Sequence, residues 1–325
     1  MLPEFPDLIR CAPPFWARSG HAQTVLGSIL PSAPFLEEGE RVEIHLPDGD
    51  KLVGRYFKGE TTKVVYLFHG LGGDRGGDYM QRTARVCRDL GYHVYTINHR
   101  GCGDGAGLAV HPYHSGRSED LSEVIALGRR RHPGMKHAAV GFSLSGNALL
   151  LLLSGARGGT LPDCAVAVNA PIDLGRCALR LKEGFNRLYD LRFVALCAAA
   201  IRARRRAGLV GDEYRIPPLA TLYDFDDLYT APAGGFKNRE DYYRSCSTKD
   251  RLSSIRTPTI LITAKDDPFV GFEDYESAAL GPNVHLHAES IGGHMGYLSA
   301  KKTPLGTHRW LDYALREYLI RLLGA

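Results

Sequence analysis

Short apolar runs rich in β-branched residues recur at 64–68, 93–98, 137–141, 165–169, 259–263 and 284–288, and stretches with helical apolar spacing fill 78–90, 119–131, 144–154 and 307–323. This alternation leaves little choice of architecture. Parallel strands cannot be joined by a tight turn; they need a crossover of a dozen or more residues, and a helix is the usual one. The chain therefore reads as an α/β protein, with a mostly parallel central sheet flanked by helices. The runs lack polar alternation because strands of a parallel sheet are covered on both faces. Residues 41–57 differ: they alternate about Asp48-Gly49-Asp50, the pattern of an opening antiparallel hairpin. In the last helical stretch Trp310, Leu311, Ala314, Leu315, Tyr318 and Leu322 share one spacing, which predicts a helix laid along one face of the sheet.

Between residues 172 and 256 the strand rhythm stops, replaced by a helical stretch and then an aromatic, turn-rich segment ending at Pro258. A structureless connection of that length is not expected inside a compact domain. The segment reads as a cap inserted into one domain, dividing the chain into a first core part (1–171), the cap (172–256) and a second core part (257–325).

The 325 residues are 44% hydrophobic and 23% charged, enough apolar material for a large core. The balance of 40 basic and 36 acidic residues leaves +4, too small an excess to give a nucleic-acid-binding protein by bulk charge. Seven cysteines (Cys11, Cys87, Cys102, Cys164, Cys177, Cys197, Cys246) are scattered without a C-x-x-C spacing, as in reduced thiols rather than a disulfide or zinc scaffold. The first sixteen residues carry Glu4, Asp7 and four prolines and do not read as a secretory signal. The longest apolar run, 193–201, is far short of the roughly 20 residues that cross a bilayer, so a soluble, cytoplasmic protein is expected.

Chemistry concentrates at the ends of predicted strands. Val140-Gly141-Phe142-Ser143-Leu144-Ser145-Gly146 runs from strand into helix, with small residues crowded round one serine. That is the setting of a nucleophile elbow, where a sharp turn projects the hydroxyl and close approach of strand and helix excludes bulk. Ser145 stands where glycine is usual, and a serine-capped helix start is the plainer reading of the motif alone. A serine hydroxyl needs a base, and the base needs an orienting group. Asp266-Asp267-Pro268 follows the predicted strand 259–263, and Gly292-Gly293-His294 precedes the last helix, giving the chain order Ser143, Asp267, His294. Asp267 is preferred to Asp266 because a residue before proline is held extended. His69-Gly70-Leu71-Gly72-Gly73 follows strand 64–68, where oxyanion donors are expected, and the backbone N–H groups of Leu71 and Leu144 are assigned that role.

Other motifs carry less. The glycines at 70–77 lack the Gly-Lys-Ser/Thr of a phosphate loop, and 101–106 formally fits a dinucleotide fingerprint but no helix follows it. Neither His111 with His114 nor His285 with His287 has a neighbouring ligand set in sequence, so no metal and no cofactor is expected. Arg202, Arg204, Arg205 and Arg206 follow the apolar run of the cap and read either as a solvated helix end or as an amphipathic helix in peripheral contact with anionic lipid.

The chain resembles the YheT-like α/β-hydrolases, the AB hydrolase 4 family, along nearly its whole length. The segments that carry this are Pro13-Pro14-Phe15-Trp16 with His21-Ala22-Gln23-Thr24, His69-Gly70-Leu71-Gly72-Gly73, Asn98-His99-Arg100-Gly101-Cys102, Gly141-Phe142-Ser143-Leu144, Tyr223-Asp224-Phe225-Asp226, Asp241-Tyr242-Tyr243, Asp266-Asp267-Pro268-Phe269 and Gly292-Gly293-His294. The resemblance implies an α/β-hydrolase fold and a serine esterase acting on small acyl or lipid-like carboxylic esters, with Ser143, Asp267 and His294 in the catalytic roles. Acyl transfer to an alcohol is the neighbouring chemistry in that family. A non-catalytic ligand-binding protein on the same scaffold is the competing expectation, prompted by Ser145.

Overall fold

A computed structural model describes residues 8–32, 35 and 38–324. The hairpin and all six apolar runs are strands: β1 (Glu40–His45), β2 (Lys51–Phe57), β3 (Lys63–Phe68), β4 (His93–Asn98), β5 (Lys136–Phe142), β6 (Cys164–Val168), β7 (Thr259–Ala264) and β8 (Val284–Glu289). They form one sheet in the order β1-β2-β4-β3-β5-β6-β7-β8. The β1–β2 and β2–β4 pairs are antiparallel and the other pairs are parallel.

Alternation along the strands feeds two separate cores. Val64, Tyr66 and Phe68 of β3 face one side, and Val65 and Leu67 the other. The second side is closed by α2 (Asp78–Asp89) and α11 (Trp310–Leu323), through Met80, Ala84, Leu315 and Leu319. The first is closed by α3 (Ser118–Arg131) and α4 (Leu144–Leu153), through Leu121, Ile125, Leu149 and Leu152. Burying each of the Val, Leu, Ile, Phe and Met side chains among these is worth about 1.5–3 kcal/mol, so the sheet's central strands are its most firmly held part.

Two differences from the sequence reading have local causes. α11 begins at Trp310, not 307, because Ser299 N–H donates to His308 O (2.9 Å) and Trp310 N–H to Tyr297 O (3.0 Å), which ties up the preceding residues in a loop. α1 (Gly20–Ile29) was not anticipated; it contains two glycines, and starts at Ser19, whose side chain accepts from Ala22 N.

Between β6 and β7 the chain is helical: α5 (Leu174–Leu181), α6 (Asn186–Arg206), α7 (Leu222–Phe225), α8 (Ala231–Gly234) and α9 (Arg239–Cys246). The aromatic segment read as turn-rich is thus mostly short helices. Thr221 and Asp224 cap α7 reciprocally, and Asn238 caps α9 by accepting from Asp241 N. Their aromatic rings are spent on packing: Phe225, Tyr229, Tyr242 and Tyr243 are all buried. A short α10 (Phe272–Glu276) follows β7.

All seven cysteines are unpaired. Among the described residues no helix is long and apolar enough to cross a membrane. The sequence reading of residues 1–7 lies outside the described residues.

Candidate active site

Ser143 sits between β5 and α4 with φ 52° and ψ −121°, a backbone conformation that a residue bearing a Cβ adopts only under constraint. Such a position costs on the order of 1–3 kcal/mol and persists where its surroundings hold it. Here Ser143 N–H donates to Val168 O (2.8 Å), and its carbonyl accepts from Gly146 N (2.8 Å). Gly141 is required by close approach: a Cβ there would lie 2.6 Å from the Ser145 carbonyl oxygen. The sharp turn from β5 into α4 is made with serine at position 145.

His294 lies in the loop after β8. Its Nε2 is 3.0 Å from Ser143 Oγ, and its Nδ1 is 2.8 Å from Asp267 Oδ2. The ring packs against Phe269, with centroids 4.2 Å apart. Asp267 is buried, and its other oxygen accepts the N–H groups of Phe269 (3.1 Å) and Val270 (3.0 Å). These two hydrogen bonds fix the plane of the carboxylate. Asp266 has a different occupation, accepting Gly292 N (2.8 Å) and Gly293 N (2.9 Å) and so tethering the loop that carries His294.

Residues to which the sequence analysis gave no catalytic role complete this arrangement. Asn169, at φ 45° beyond the end of β6, donates from Nδ2 to Asp267 Oδ2 (2.8 Å) and Gly293 O (3.2 Å), and accepts from Tyr297 OH (2.9 Å). On α1, Thr24 Oγ1 accepts His294 N–H at 2.8 Å, while Gln23 receives Leu298 N (2.6 Å) and donates to Leu298 O (3.1 Å). The loop bearing the imidazole is thus clamped by residues from three separate places in the sequence.

The assigned donors lie beside the serine. Leu71, Leu144 and Ser143 line one cavity, and a Cβ on Gly70 would sit 3.0 Å from Ser143 Cβ. Leu144 is the first residue of α4, so no preceding helical turn accepts its N–H. His69 Nδ1 is 2.8 Å from Gly70 O. Because the trans peptide unit is planar, holding that carbonyl also fixes the direction of the Leu71 N–H on the opposite edge.

Ser145 ties this loop to the elbow. Fully buried, its Oγ donates to His69 O, and it lies 2.6 Å from His99 Nε2 and 2.8 Å from Tyr113 OH. With its one proton given to the carbonyl, the hydroxyl accepts from the imidazole and the phenol. His69 Nε2 accepts His99 N–H at 3.1 Å, and the His99 ring stacks on Tyr113 at 3.9 Å. Burial lowers both imidazoles' pKa, that of His69 to about 4 and that of His99 well below its usual value, so both are neutral as this bonding needs.

Two cavities meet at Ser143. One, of about 1070 Å³ with its mouth, reaches under the inserted helices and is lined largely by apolar side chains such as Leu181, Leu222, Phe225 and Ala200. Its charged wall residues are engaged: Arg204 with Tyr229 OH (2.8 Å), Asp226 with Tyr243 OH (2.8 Å), and Arg100 with Asp50 and Asp120. The other opens between α1 and α6, lined by Val25, Ile29, Arg192, Leu196 and His294.

The histidine pairs separate. His114 is buried between Phe236 and Tyr242, and His287 bonds Glu289 (2.8 Å) and Tyr318 (2.6 Å). His111, which has no acidic neighbour in sequence, meets Asp48 and Asp50 in space. Arg100 supplies the positive charge at that cluster, 2.7 Å from Asp48 and 2.5 Å from Asp50.

Comparison with known proteins gives a consistent picture. Residues 63–301 match the family described as alpha/beta hydrolase fold. A protein of Escherichia coli (strain K12) named "Putative esterase YheT" is 32% identical, the alignment covering 94% of this chain and 91% of that one. Phospholipase ABHD3 of Mus musculus is 26% identical, covering 88% of this chain and 72% of the relative. Among solved structures, the Pyrococcus furiosus esterase Pf2001 superposes with a TM-score of 0.58 at 18% identity, over 99% of this chain and 100% of the other, a likeness of fold.

Proposed function

This chain belongs to the alpha/beta hydrolase fold family, and on that premise we propose that it is a serine hydrolase that cleaves carboxylic esters through a Ser143–His294–Asp267 triad. One observation carries the reading: Ser143 Oγ, at a strained elbow, lies 3.0 Å from His294 Nε2, whose opposite nitrogen lies 2.8 Å from a buried carboxylate.

The steps follow from that line of hydrogen bonds. His294 Nε2 takes the Ser143 proton as Oγ attacks the ester carbonyl, and Asp267 holds the tautomer with the proton on Nδ1 and stabilises the imidazolium. The carbonyl oxygen, now negative, is received by the N–H groups of Leu71 and Leu144; one such donor is worth roughly 3 kcal/mol in the transition state. His294 returns its proton to the departing alcohol, leaving an acyl group on Ser143. Water, deprotonated by the same imidazole, then releases the acid and restores the hydroxyl.

The two cavities divide the substrate. The alcohol must leave on the imidazole's side, which places it in the cavity that His294 lines and the acyl chain in the apolar one under the inserted helices. Acyl or lipid-like esters suit this division, as do the relatives named for esterase and phospholipase activity. A fluorophosphonate probe should label the native protein and leave Ser143→Ala unlabelled; equal labelling of the two removes Ser143 as nucleophile.

A further inference from the structure

The mouth between α1 and α6 is bordered by apolar side chains left in solvent. Ile29 is 63% exposed, Leu188 57% and Phe185 53%, and Val25 and Leu196 are also exposed. These belong to one continuous surface. His21 of α1 contacts the Phe185 ring at 4.8 Å and Tyr189 OH at 3.1 Å, so the two elements adjoin at one end, while Val25, Ile29, Arg192 and Leu196 line the opening. Exposed apolar residues scattered singly need no explanation, but a group gathered at a cavity mouth does.

The charge that α6 presents to solvent on this face has one sign. The outward stripe of α6 runs Leu188, Arg192, Ala195, Ala199, Arg202 and Arg206, all exposed. The single carboxylate of α6, Asp190, is buried and paired with Arg187. α1 has no acidic or basic residue apart from His21. Among the described residues, Arg192, Arg202 and Arg206 make no ion pair, although the whole chain carries only +4.

We propose that this face, the outer stripe of α6 with the exposed residues of α1, docks onto an anionic lipid surface and turns the mouth of the site toward it. Apolar side chains flanked by unpaired guanidinium groups are the composition that settles at a bilayer interface, where the aliphatic groups enter the headgroup boundary and the cations meet anionic lipid. A second copy of the chain fits less well, since a two-fold contact through this face would set its arginines against themselves. The surface borders the mouth of the site, and its function does not depend on which bond Ser143 attacks.

Sedimentation with vesicles tests it, comparing phosphatidylcholine alone with an equal mixture of phosphatidylcholine and phosphatidylglycerol. The full chain should bind the mixed vesicles at least about tenfold more tightly than the neutral ones and lose that preference in high salt. Leu188, Arg202 and Arg206 line neither cavity. Leu188→Asp, and Arg202→Glu with Arg206→Glu, should each weaken binding to mixed vesicles by about tenfold or more, with unchanged turnover of a soluble acetyl ester as proof of folding. Absence of vesicle binding by the native chain, or equal binding by the charge-reversed variant, overturns the proposal. So does a stable dimer in velocity sedimentation that Leu188→Asp converts to monomer, which assigns the face to a second copy.

Discussion

Asn169 donates a hydrogen bond of 2.8 Å to Asp267 Oδ2, the same oxygen that faces His294 Nδ1. A carboxylate oxygen has two lone pairs and can accept both, so the amide holds the carboxylate in register with the imidazole. Asn169→Ala should lower kcat by about tenfold to a hundredfold while KM for a soluble ester changes little, because the group acts on orientation rather than on substrate. Steady-state kinetics on active-site-titrated protein checks it, and an unchanged kcat contradicts it.

The two adjacent aspartates should separate cleanly. Asp267→Asn leaves the shape but removes the charge that orients His294, and a loss of about 10⁴ in kcat is expected. Asp266→Asn weakens the tether on Gly292 and Gly293, so its main effect should be a lower melting temperature, with kcat falling much less. The reverse order of kcat losses would reassign the triad acid.

Much of this was legible in the sequence because it is local. The strands are runs of consecutive residues, and Ser143, Asp267 and His294 each follow a strand end in a short segment of recognisable composition. What stayed hidden depends on contacts made across the chain. Asn169 bears no motif, and its role exists only because β6 lies beside β7 and brings it to Asp267. α1 has a weak helical pattern, and its worth lies in Thr24 and Gln23 meeting a loop some 270 residues away. The Asp48–Asp50–His111 cluster was missed for the same reason, since its histidine and acids lie far apart in sequence.

Ser145 offers a test of the buried strap between elbow and oxyanion loop. Ser145→Ala deletes the donor to His69 O, leaves His99 Nε2 without its acceptor and leaves Tyr113 OH only the more distant His69 O at 3.5 Å. A buried group stripped of its partner costs about 1–3 kcal/mol, so unfolding in urea should shift by that order. A loss of about tenfold in kcat should accompany it if the strap fixes the Leu71 N–H, and unaltered stability and turnover would show that the strap does neither.

The neutrality of His69 has a pH signature. Its folded pKa is depressed by burial from 6.5 to about 4, so between these values the unfolded chain binds more protons than the folded one at this site. Its contribution to stability is therefore complete above pH ~6.5 and declines as pH falls toward ~4, by about 1.4 kcal/mol per pH unit. His69→Asn keeps an amide donor for Gly70 O but cannot titrate. The stability difference between native and variant should shift in the variant's favour as pH falls through this window, and a difference independent of pH contradicts the linkage.

Ala200 lines the cavity under the inserted helices and is exposed to it, so a larger side chain can enter without overpacking the core. Ala200→Phe should reduce kcat/KM for a long-chain p-nitrophenyl ester by about tenfold or more and spare the acetyl ester, consistent with roughly 1–3 kcal/mol of lost chain contact. Equal effects on both chain lengths would place the acyl group elsewhere.

Rapid acid quench of the protein during turnover of a p-nitrophenyl ester, followed by peptide mass analysis, addresses the chemistry itself. An added mass equal to the acyl group on the peptide containing Ser143, absent from Ser143→Ala and from unreacted protein, is the predicted result. Undiminished turnover by Ser143→Ala, or an acyl group carried on another residue, would contradict the account.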